Sequence, residues 1–320
     1  MNAFDKIPVA KRRIAIEITT FSAFSIDGIY GNIFKCFERK KFINILSISS
    51  VDDIDIFLKE DLGEQGDITS NILLKDEEGT AYIKANEKCV IAGIEEAIEV
   101  FKRLNCDAKA LKKDGENARC NEKIIEIKGK IKNILAGERL ALNFICRMSG
   151  IATITRELVE MCRKKNPKVI ISATRKTTPG FRKYEKKAVK IGGGEPHRMG
   201  LYDGILIKDN HLACIPLREA VKKAKRSGMK VEVEVSNVDE AIIAAEEGVD
   251  IIMLDNMPPV KGKIAMKKIK EINPDTKVEV SGGINPENIV NYSFADIISL
   301  GCITHSVKSM DFSLEIEKVF

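Results

Sequence analysis

Between Val169 and His211 the chain concentrates side chains that bind anions. They come as Thr174-Arg175-Lys176-Thr177, as Gly192-Gly193-Gly194 followed by His197-Arg198, and as Lys208-Asp209-Asn210-His211. Each group follows a short apolar run: Val169 to Ile171, Ala188 to Ile191, and Gly204 to Ile207. Read as buried strands, the three runs deliver their polar ends to one place, as in a site built at the C-terminal mouth of a parallel barrel. Arg stays charged and grips a carboxylate at two points. A ring of Arg and Lys with one His therefore suits a substrate carrying more than one carboxylate.

Further along, more strand ends carry complementary chemistry. Val231–Val235 presents Glu234, and Asp250–Leu254 ends in Asp255-Asn256. These two carboxylates suit a hard cation or the hydroxyls of a sugar. Val278–Val280 ends in Ser281-Gly282-Gly283, and Asp296–Leu300 ends in Gly301-Cys302-Ile303-Thr304-His305. Glycine turns of this kind let backbone amides close on a phosphate. Singly, each feature has a plain alternative. Ser-Gly-Gly is usually a turn, His211 after Asp-Asn is more often a turn residue than a catalyst, and either Glu232 or Glu234 serves equally as a surface carboxylate. Their shared position at strand C-termini is what argues for a site.

The elements that must hold these residues follow from periodicity. After Pro167 the pattern alternates strand, turn and helix, with crossovers of about a dozen residues, which means βαβ units and a parallel sheet. Six or seven units favour a barrel over a doubly wound sheet. Asn237 is expected to cap a helix with Glu240 reaching back and Gly248 as its stop. Asn285-Pro286 is expected to open another helix. Upstream, Thr80–Ala85, Lys88–Ile91, Ala108–Leu111 and Ile124–Ile127 read as strands around an amphipathic helix, Gly93–Leu104, in a small α+β unit. A long helix from Ala136 to about Lys164 is expected to break at Ser149-Gly150. By spacing alone, Arg147 on it is a surface arginine. Ser49-Ser50-Val51-Asp52-Asp53 reads as a helix start running to about Lys59.

The chain has 320 residues, 44% hydrophobic and 31% charged, with a formal net charge of +5. That size supports two domains. The mild, dispersed charge points to anionic small molecules rather than nucleic acid. The eight cysteines include no C-x-x-C pair, so neither zinc nor a redox dithiol is signalled. No apolar run reaches the length of a membrane span. Neither a continuous apolar core nor a small-residue cleavage site marks the first 46 residues as a targeting peptide, so a cytoplasmic protein with reduced thiols is expected.

The central run, Thr174-Arg175-Lys176-Thr177-Thr178-Pro179-Gly180 through Gly192-Gly193-Gly194-x-x-His197-Arg198 to Tyr202-Asp203-Gly204-Ile205-Leu206-Ile207-Lys208-Asp209-Asn210-His211, resembles the quinolinate phosphoribosyltransferase family. The likeness extends to Glu60-Asp61-Leu62-Gly63 with Gly66-Asp67-Ile68-Thr69-Ser70, and to Gly137-Glu138-Arg139 through Arg147-x-Ser149-Gly150. It also takes in Val231 to Val235, Leu254-Asp255-Asn256, Ser281-Gly282-Gly283-Ile284 and Thr304-His305-Ser306, and so covers about residues 55–320.

The resemblance implies an α/β protein. Residues 1–50 would be an extension of unclear role, 51–149 an N-terminal α+β sandwich-like domain, and 150–320 an open (β/α) barrel. It implies a homodimer or an oligomer of dimers, magnesium, and conversion of quinolinate and phosphoribosyl pyrophosphate to nicotinate mononucleotide, pyrophosphate and carbon dioxide. By resemblance, Arg147 reaches a quinolinate carboxylate across the dimer. Thr174, Arg175, Lys176, His197, Arg198 and Lys208 line the quinolinate pocket. Glu234 and Asp255 bind ribose and magnesium. Ser281, Gly282, Gly283, Leu300, Gly301, Cys302 and His305 form the phosphate end. Lys176, Lys208, Glu234 and Asp255 are the implied catalytic set. Residues 1–40, Gln65 and the pair Glu195-Pro196 depart from the family pattern. A paralogue taking another ligand, a different phosphate-handling barrel enzyme and a non-catalytic binding protein are the rival readings. Carbon dioxide release from quinolinate separates them.

Overall fold

The computed structural model describes residues 50–320, of which Ile54–Phe320 form one unit. The readings made on residues 1–49 lie outside the described residues. Two helices come first, α1 (Ser50–Leu62) and α2 (Ile68–Leu73). The Asp67 carboxylate caps α2 by accepting from the Ser70 N–H at 3.0 Å.

A four-stranded antiparallel sheet follows, in the order β12 (Phe312–Val319), β1 (Glu78–Ala85), β5 (Glu122–Lys130), β3 (Asp107–Ala110). Period two along β1 puts Ala81, Ile83 and Ala85 in the core, fully buried. Tyr82 takes the other face and donates to Glu126 at 2.8 Å. The helix α3 (Ile94–Arg103) presses Ala97, Val100 and Phe101 into the same core, and a small pair, β2 (Cys89–Val90) and β4 (Asn117–Ala118), lies in the same segment.

The last strand of the chain therefore joins the first sheet. The chain thus returns at its C-terminus to the sheet of its first segment. Alternation in Phe312, Leu314 and Ile316 signals a strand, yet nothing local in it says which sheet edge it covers.

The long helix α4 runs from Ile131 to Arg163 without a break, about 50 Å at 1.5 Å per residue. The expected interruption at Ser149-Gly150 is a close approach instead. Ser149 Oγ is buried, accepts from the Ala92 N–H at 3.0 Å and donates to the Ala92 carbonyl at 3.2 Å. A Cβ on Gly150 would overlap the Lys308 carbonyl. The glycine is there to admit neighbouring backbone, and the helix continues through it.

Six parallel strands build the second layer, ordered β6 (Ile170–Ser172), β11 (Ile297–Ser299), β10 (Lys277–Ser281), β9 (Ile251–Asp255), β8 (Val231–Val235), β7 (Ile205–Ile207). Among the described residues β6 and β7 do not pair, so the barrel is open between them. The helices α5 (Arg182–Ile191), α6 (Asp209–Leu212), α7 (Leu217–Lys225), α8 (Val238–Glu246), α9 (Pro259–Ile272) and α10 (Cys302–His305) connect or follow the strands. Asn237 caps α8 as expected, accepting from the Glu240 N–H at 2.9 Å. The Glu240 carboxylate accepts from Ser236 N–H, one residue earlier than the usual box.

Two expectations fail locally. Ala188–Ile191, read as a strand, is the last turn of α5. Tyr184, Ala188 and Ile191 fall at helical spacing, and Tyr184 joins a ring cluster with Phe57, Phe144 and Phe181. The strand-like partner of β6 is the single residue Glu195, bridged to Ser172. Asn285-Pro286 opens no α-helix. The Asn285 side chain accepts from the Glu287 and Asn288 N–H groups, each at 3.1 Å, and this local turn leaves only a 3₁₀ turn, Ile289–Tyr292.

Candidate active site

Alternation within the barrel strands decides which side chains face inward. In β8, Val231, Val233 and Val235 are buried at 1% exposure or less. Glu232 and Glu234 take the opposite, inner face. The same rule places Met253 and Asp255 of β9 inward, and Glu279 and Ser281 of β10, with Ser281 opposite Asp255 in register. Because the strands are parallel, Thr174 to Thr177, Lys208, Glu234, Asp255, Ser281 to Gly283 and Gly301 share one edge. The convergence expected of these residues is thus a property of the sheet.

At the end of β6, Arg175 and Arg198 are neighbours. Burial, with the Arg175 charge beside it, pulls Arg198 below the usual guanidinium range. Arg198 donates to the Gly204 carbonyl at 2.9 Å. Arg175 Nε is buried and has no hydrogen-bond partner among the described residues. A buried guanidinium nitrogen left unpaired calls for an anion. Thr174 Oγ1 accepts from the Lys176 N–H at 3.1 Å and sets the start of this turn.

Lys176 and His305 flank Gly301. A Cβ there would stand 2.8 Å from His305 Nε2 and 2.9 Å from Lys176 Cδ. The Thr304 hydroxyl donates to the Lys176 carbonyl at 2.7 Å, tying the two loops together. Leu300 is 1% exposed, and its N–H donates to the Ser172 carbonyl at 2.9 Å. Cys302 points its thiol toward the Ile284 carbonyl, at 3.8 Å. Gly282 and Gly283 have φ of +86° and +62°. A Cβ on Gly282 would meet Asn256 at 2.5 Å, whereas the nearest atom at Gly283 is 3.9 Å away, so backbone is open to a ligand there.

Lys208 is ion-paired with Glu234. Asp255 accepts from Asn256 Nδ2 at 2.6 Å. The two carboxylates end adjacent strands and offer only oxygen donors. That set fits a magnesium ion, which commonly takes one or two carboxylates and completes its shell with water and phosphate oxygens.

Arg147 is hydrogen-bonded within its own chain. It donates to Glu185 Oε1 at 2.7 and 3.3 Å, to the Val307 carbonyl at 3.3 Å, and to the Thr304 carbonyl. Glu185 is fully buried and also accepts from the Thr178 N–H and hydroxyl at 3.1 and 3.0 Å. Arg147 thus joins the loop after β6 to the segment after α10.

His197 borders a cavity together with Arg198. It has φ +54°, and its Nε2 lies 3.5 Å from both Glu232 and Glu279, midway down their strands. These three groups border a cavity of about 540 Å³ with Ser172, Lys230 and Lys277 on its wall. Nδ1 accepts from the Arg198 N–H at 2.8 Å. Burial lowers the ring pKa and the two carboxylates raise it, while the Arg198 N–H opposes a proton on Nδ1. Full protonation would set a second ring proton against the Arg198 N–H. The backbone donor therefore selects the Nε2–H tautomer, with that hydrogen turned toward the two carboxylates. Burial, reinforced by Glu279, holds Glu232 above the ordinary carboxylate range.

Sequence reasoning missed Glu185, Lys186, Glu232 and Glu279. Lys186 is 1% exposed and donates to the carbonyls of Pro196 and Arg198. Burial, then the Arg182 charge, depresses it to about 8. The signal for Glu279 was present: it alternates with Ser281 as Glu232 does with Glu234. Glu185 and Lys186 were hidden by reading part of their helix as a strand.

Two family models match this chain: the quinolinate phosphoribosyl transferase N-terminal domain over residues 67–149 and its C-terminal domain over 151–315. The probable nicotinate-nucleotide pyrophosphorylase (carboxylating) of Archaeoglobus fulgidus is 46% identical over 256 residues, covering 78% of this chain and 98% of the relative. The Bacillus subtilis protein of the same name is 41% identical over 269 residues, covering 81% and 91%. The solved nicotinate-nucleotide pyrophosphorylase of Francisella tularensis is 38% identical with a TM-score of 0.78, covering 83% of this chain and 95% of that one.

Proposed function

Because this chain belongs to the quinolinate phosphoribosyltransferase family, it converts quinolinate and phosphoribosyl pyrophosphate to nicotinate mononucleotide, pyrophosphate and carbon dioxide in de novo NAD biosynthesis, and we propose how its own residues do so. The observation that carries the assignment of the pocket is the Arg175–Arg198 pair, in which Arg175 Nε is buried without a partner. Two adjacent guanidiniums repel unless an anion lies between or before them. A pyridine diacid supplies two carboxylates.

Arg175, Arg198 and Lys208 hold the quinolinate carboxylates, with Thr174 shaping the turn. Ser281, Gly282, Gly283, Gly301 and His305 receive the phosphate end, and Lys176, packed beside Gly301, neutralises charge on the departing pyrophosphate. The pocket sets the pyridine nitrogen against the anomeric carbon, a gain from proximity. The nitrogen lone pair forms the new bond as the carbon–oxygen bond to pyrophosphate breaks. Glu234 and Asp255 face the ribose and stabilise positive charge on its ring. The carboxylate beside the now cationic nitrogen then leaves as carbon dioxide. Its electron pair stays on the ring carbon and takes a proton, for which the Lys208 ammonium is the donor we assign. Glu234 and Asp255 would also hold magnesium, which when bound supplies charge neutralisation for the pyrophosphate oxygens.

A homodimer is part of this reading. Ile68, Ile72 and Leu73 of α2 are 54%, 76% and 73% exposed, an apolar face that a second copy would cover. No helix among the described residues is long and apolar enough to cross a membrane. The described cysteines are all free thiols, which suits a cytoplasmic setting. Incubation with carboxyl-labelled quinolinate and phosphoribosyl pyrophosphate, with and without magnesium, tests the reaction through release of labelled carbon dioxide. Absence of release from folded protein would overturn it.

A further inference from the structure

The turn that carries Arg198 is held at every backbone group on either side of His197. Glu195 pairs with β6, its N–H donating to the Ile171 carbonyl at 2.8 Å and its carbonyl accepting from the Ala173 N–H at 2.9 Å. Lys186 Nζ donates to the carbonyls of Pro196 and of Arg198, the latter at 2.6 Å. The Arg198 N–H is taken by His197 Nδ1. The Met199 N–H donates to Asp203 at 2.8 Å, and the Met199 carbonyl accepts from Arg182 at 3.0 Å. Between these anchors His197 adopts a left-handed φ of +54°, a conformation a non-glycine residue keeps only when its surroundings over-determine it.

The ring end of His197 supplies the remaining hold. With Nδ1 committed as an acceptor, Nε2 carries the hydrogen and points between Glu232 and Glu279, each 3.5 Å away and each at most 6% exposed. One oxygen of each glutamate is buried with no hydrogen-bond partner among the described residues. The three side chains have the spacing of a cation site, their ligand atoms lying within 4.8 Å of one another. A metal needs the Nε2 lone pair, and the Arg198 N–H directs a proton there instead.

We propose that Lys186, Glu232 and Glu279 are positioning residues that clamp the Pro196–Arg198 turn from outside and inside the barrel, so that Arg198 is presented beside Arg175 to a substrate carboxylate. The proposal rests on the reading of that pocket as the quinolinate site. His197 on this account is the peg of the clamp and does not grip substrate through its ring nitrogens. Arg198 needs such a hold because the Arg175 charge acts on it, and two like charges drift apart on a flexible turn. An arginine moved by about 1 Å loses its two-point grip.

The first test needs no variant. The chain has three histidines, so nitrogen-15 labelling of histidine gives few signals. His197 should show a neutral ring with its hydrogen on Nε2 at pH 7. A hydrogen on Nδ1 alone, or on both nitrogens, would overturn the clamp without touching the assigned reaction. The second test is kinetic. Lys186→Met and Glu279→Leu should each raise the quinolinate KM by about tenfold or more, with the phosphoribosyl pyrophosphate KM within about twofold. Glu279→Gln keeps an acceptor for Nε2–H and should restore the quinolinate KM to within about threefold of wild type. Unchanged quinolinate KM in folded Lys186→Met or Glu279→Leu, or an equal rise in both KM values, would sink the proposal. So would one tightly bound zinc or manganese ion per chain that Glu279→Gln abolishes. Wild-type carbon dioxide release decides the reaction itself and stands apart from all of these outcomes.

Discussion

Arg147 Nη2 lies 2.7 Å from the carboxylate of Glu185, a side chain with no exposed surface. The pair sits where α4 passes the end of α5, and through Thr178 and Thr304 it reaches both loops that border Lys176. Removing the cation would strand a buried charge. Arg147→Ala should therefore lose about 3–5 kcal/mol of stability in urea unfolding. Arg147→Ala with Glu185→Leu should recover part of that loss. A single variant as stable as wild type would show that the pair is not a structural strut.

Arg175→Ala removes the guanidinium with the unpartnered buried nitrogen. Quinolinate binding measured by calorimetry should weaken by about 2–5 kcal/mol. Arg175→Lys should recover little, because an ammonium cannot make the planar two-point contact. An unchanged affinity would move the diacid out of this pocket.

Gly282 combines φ +86° with an Asn256 atom 2.5 Å from where a Cβ would stand. Gly282→Ala should cost more than about 1 kcal/mol of stability through backbone strain. It should also raise the KM for phosphoribosyl pyrophosphate more than that for quinolinate. Gly204, with open space at the same position, is the control, and Gly204→Ala should be near neutral.

Lys186 gives the pH dependence. Its folded pKa, depressed by burial to about 8, lies below the ordinary 10.5. Between these values the unfolded chain holds a proton that the folded chain has released. Stability contributed by this residue therefore rises with pH across that window and is lowest below pH 8. The rise is on the order of 3 kcal/mol at 1.36 kcal/mol per unit. Because other groups titrate there too, the quantity to measure is the stability of wild type minus that of Lys186→Met from pH 7 to 10.5. A flat difference would mean that the buried amine keeps its ordinary pKa.

Much of the site was legible before any coordinates, because strand alternation is a short-range rule. In β8, four alternating residues tell that Glu234 shares a face with Glu232, and parallel strands must end on one edge, so Arg175, Lys208, Asp255 and Ser281 were bound to meet. Glycine turns such as Gly282-Gly283 announce themselves because no other residue holds those angles cheaply. The helix cap at Asn237 was equally local.

What the linear order could not decide were relations between distant segments. That Arg147 pairs with Glu185 depends on how α4 lies against α5, and a charge on a helix carries no mark of its partner. The sheet joined by Phe312–Val319 was open for the same reason: any uncovered edge accepts an alternating strand. That His197 Nε2 lies between two glutamates from strands β8 and β10 could not be read from its own neighbours. Residue types and local periods follow from neighbours a few positions away. Burial and pairing of charges follow only from which surfaces come together.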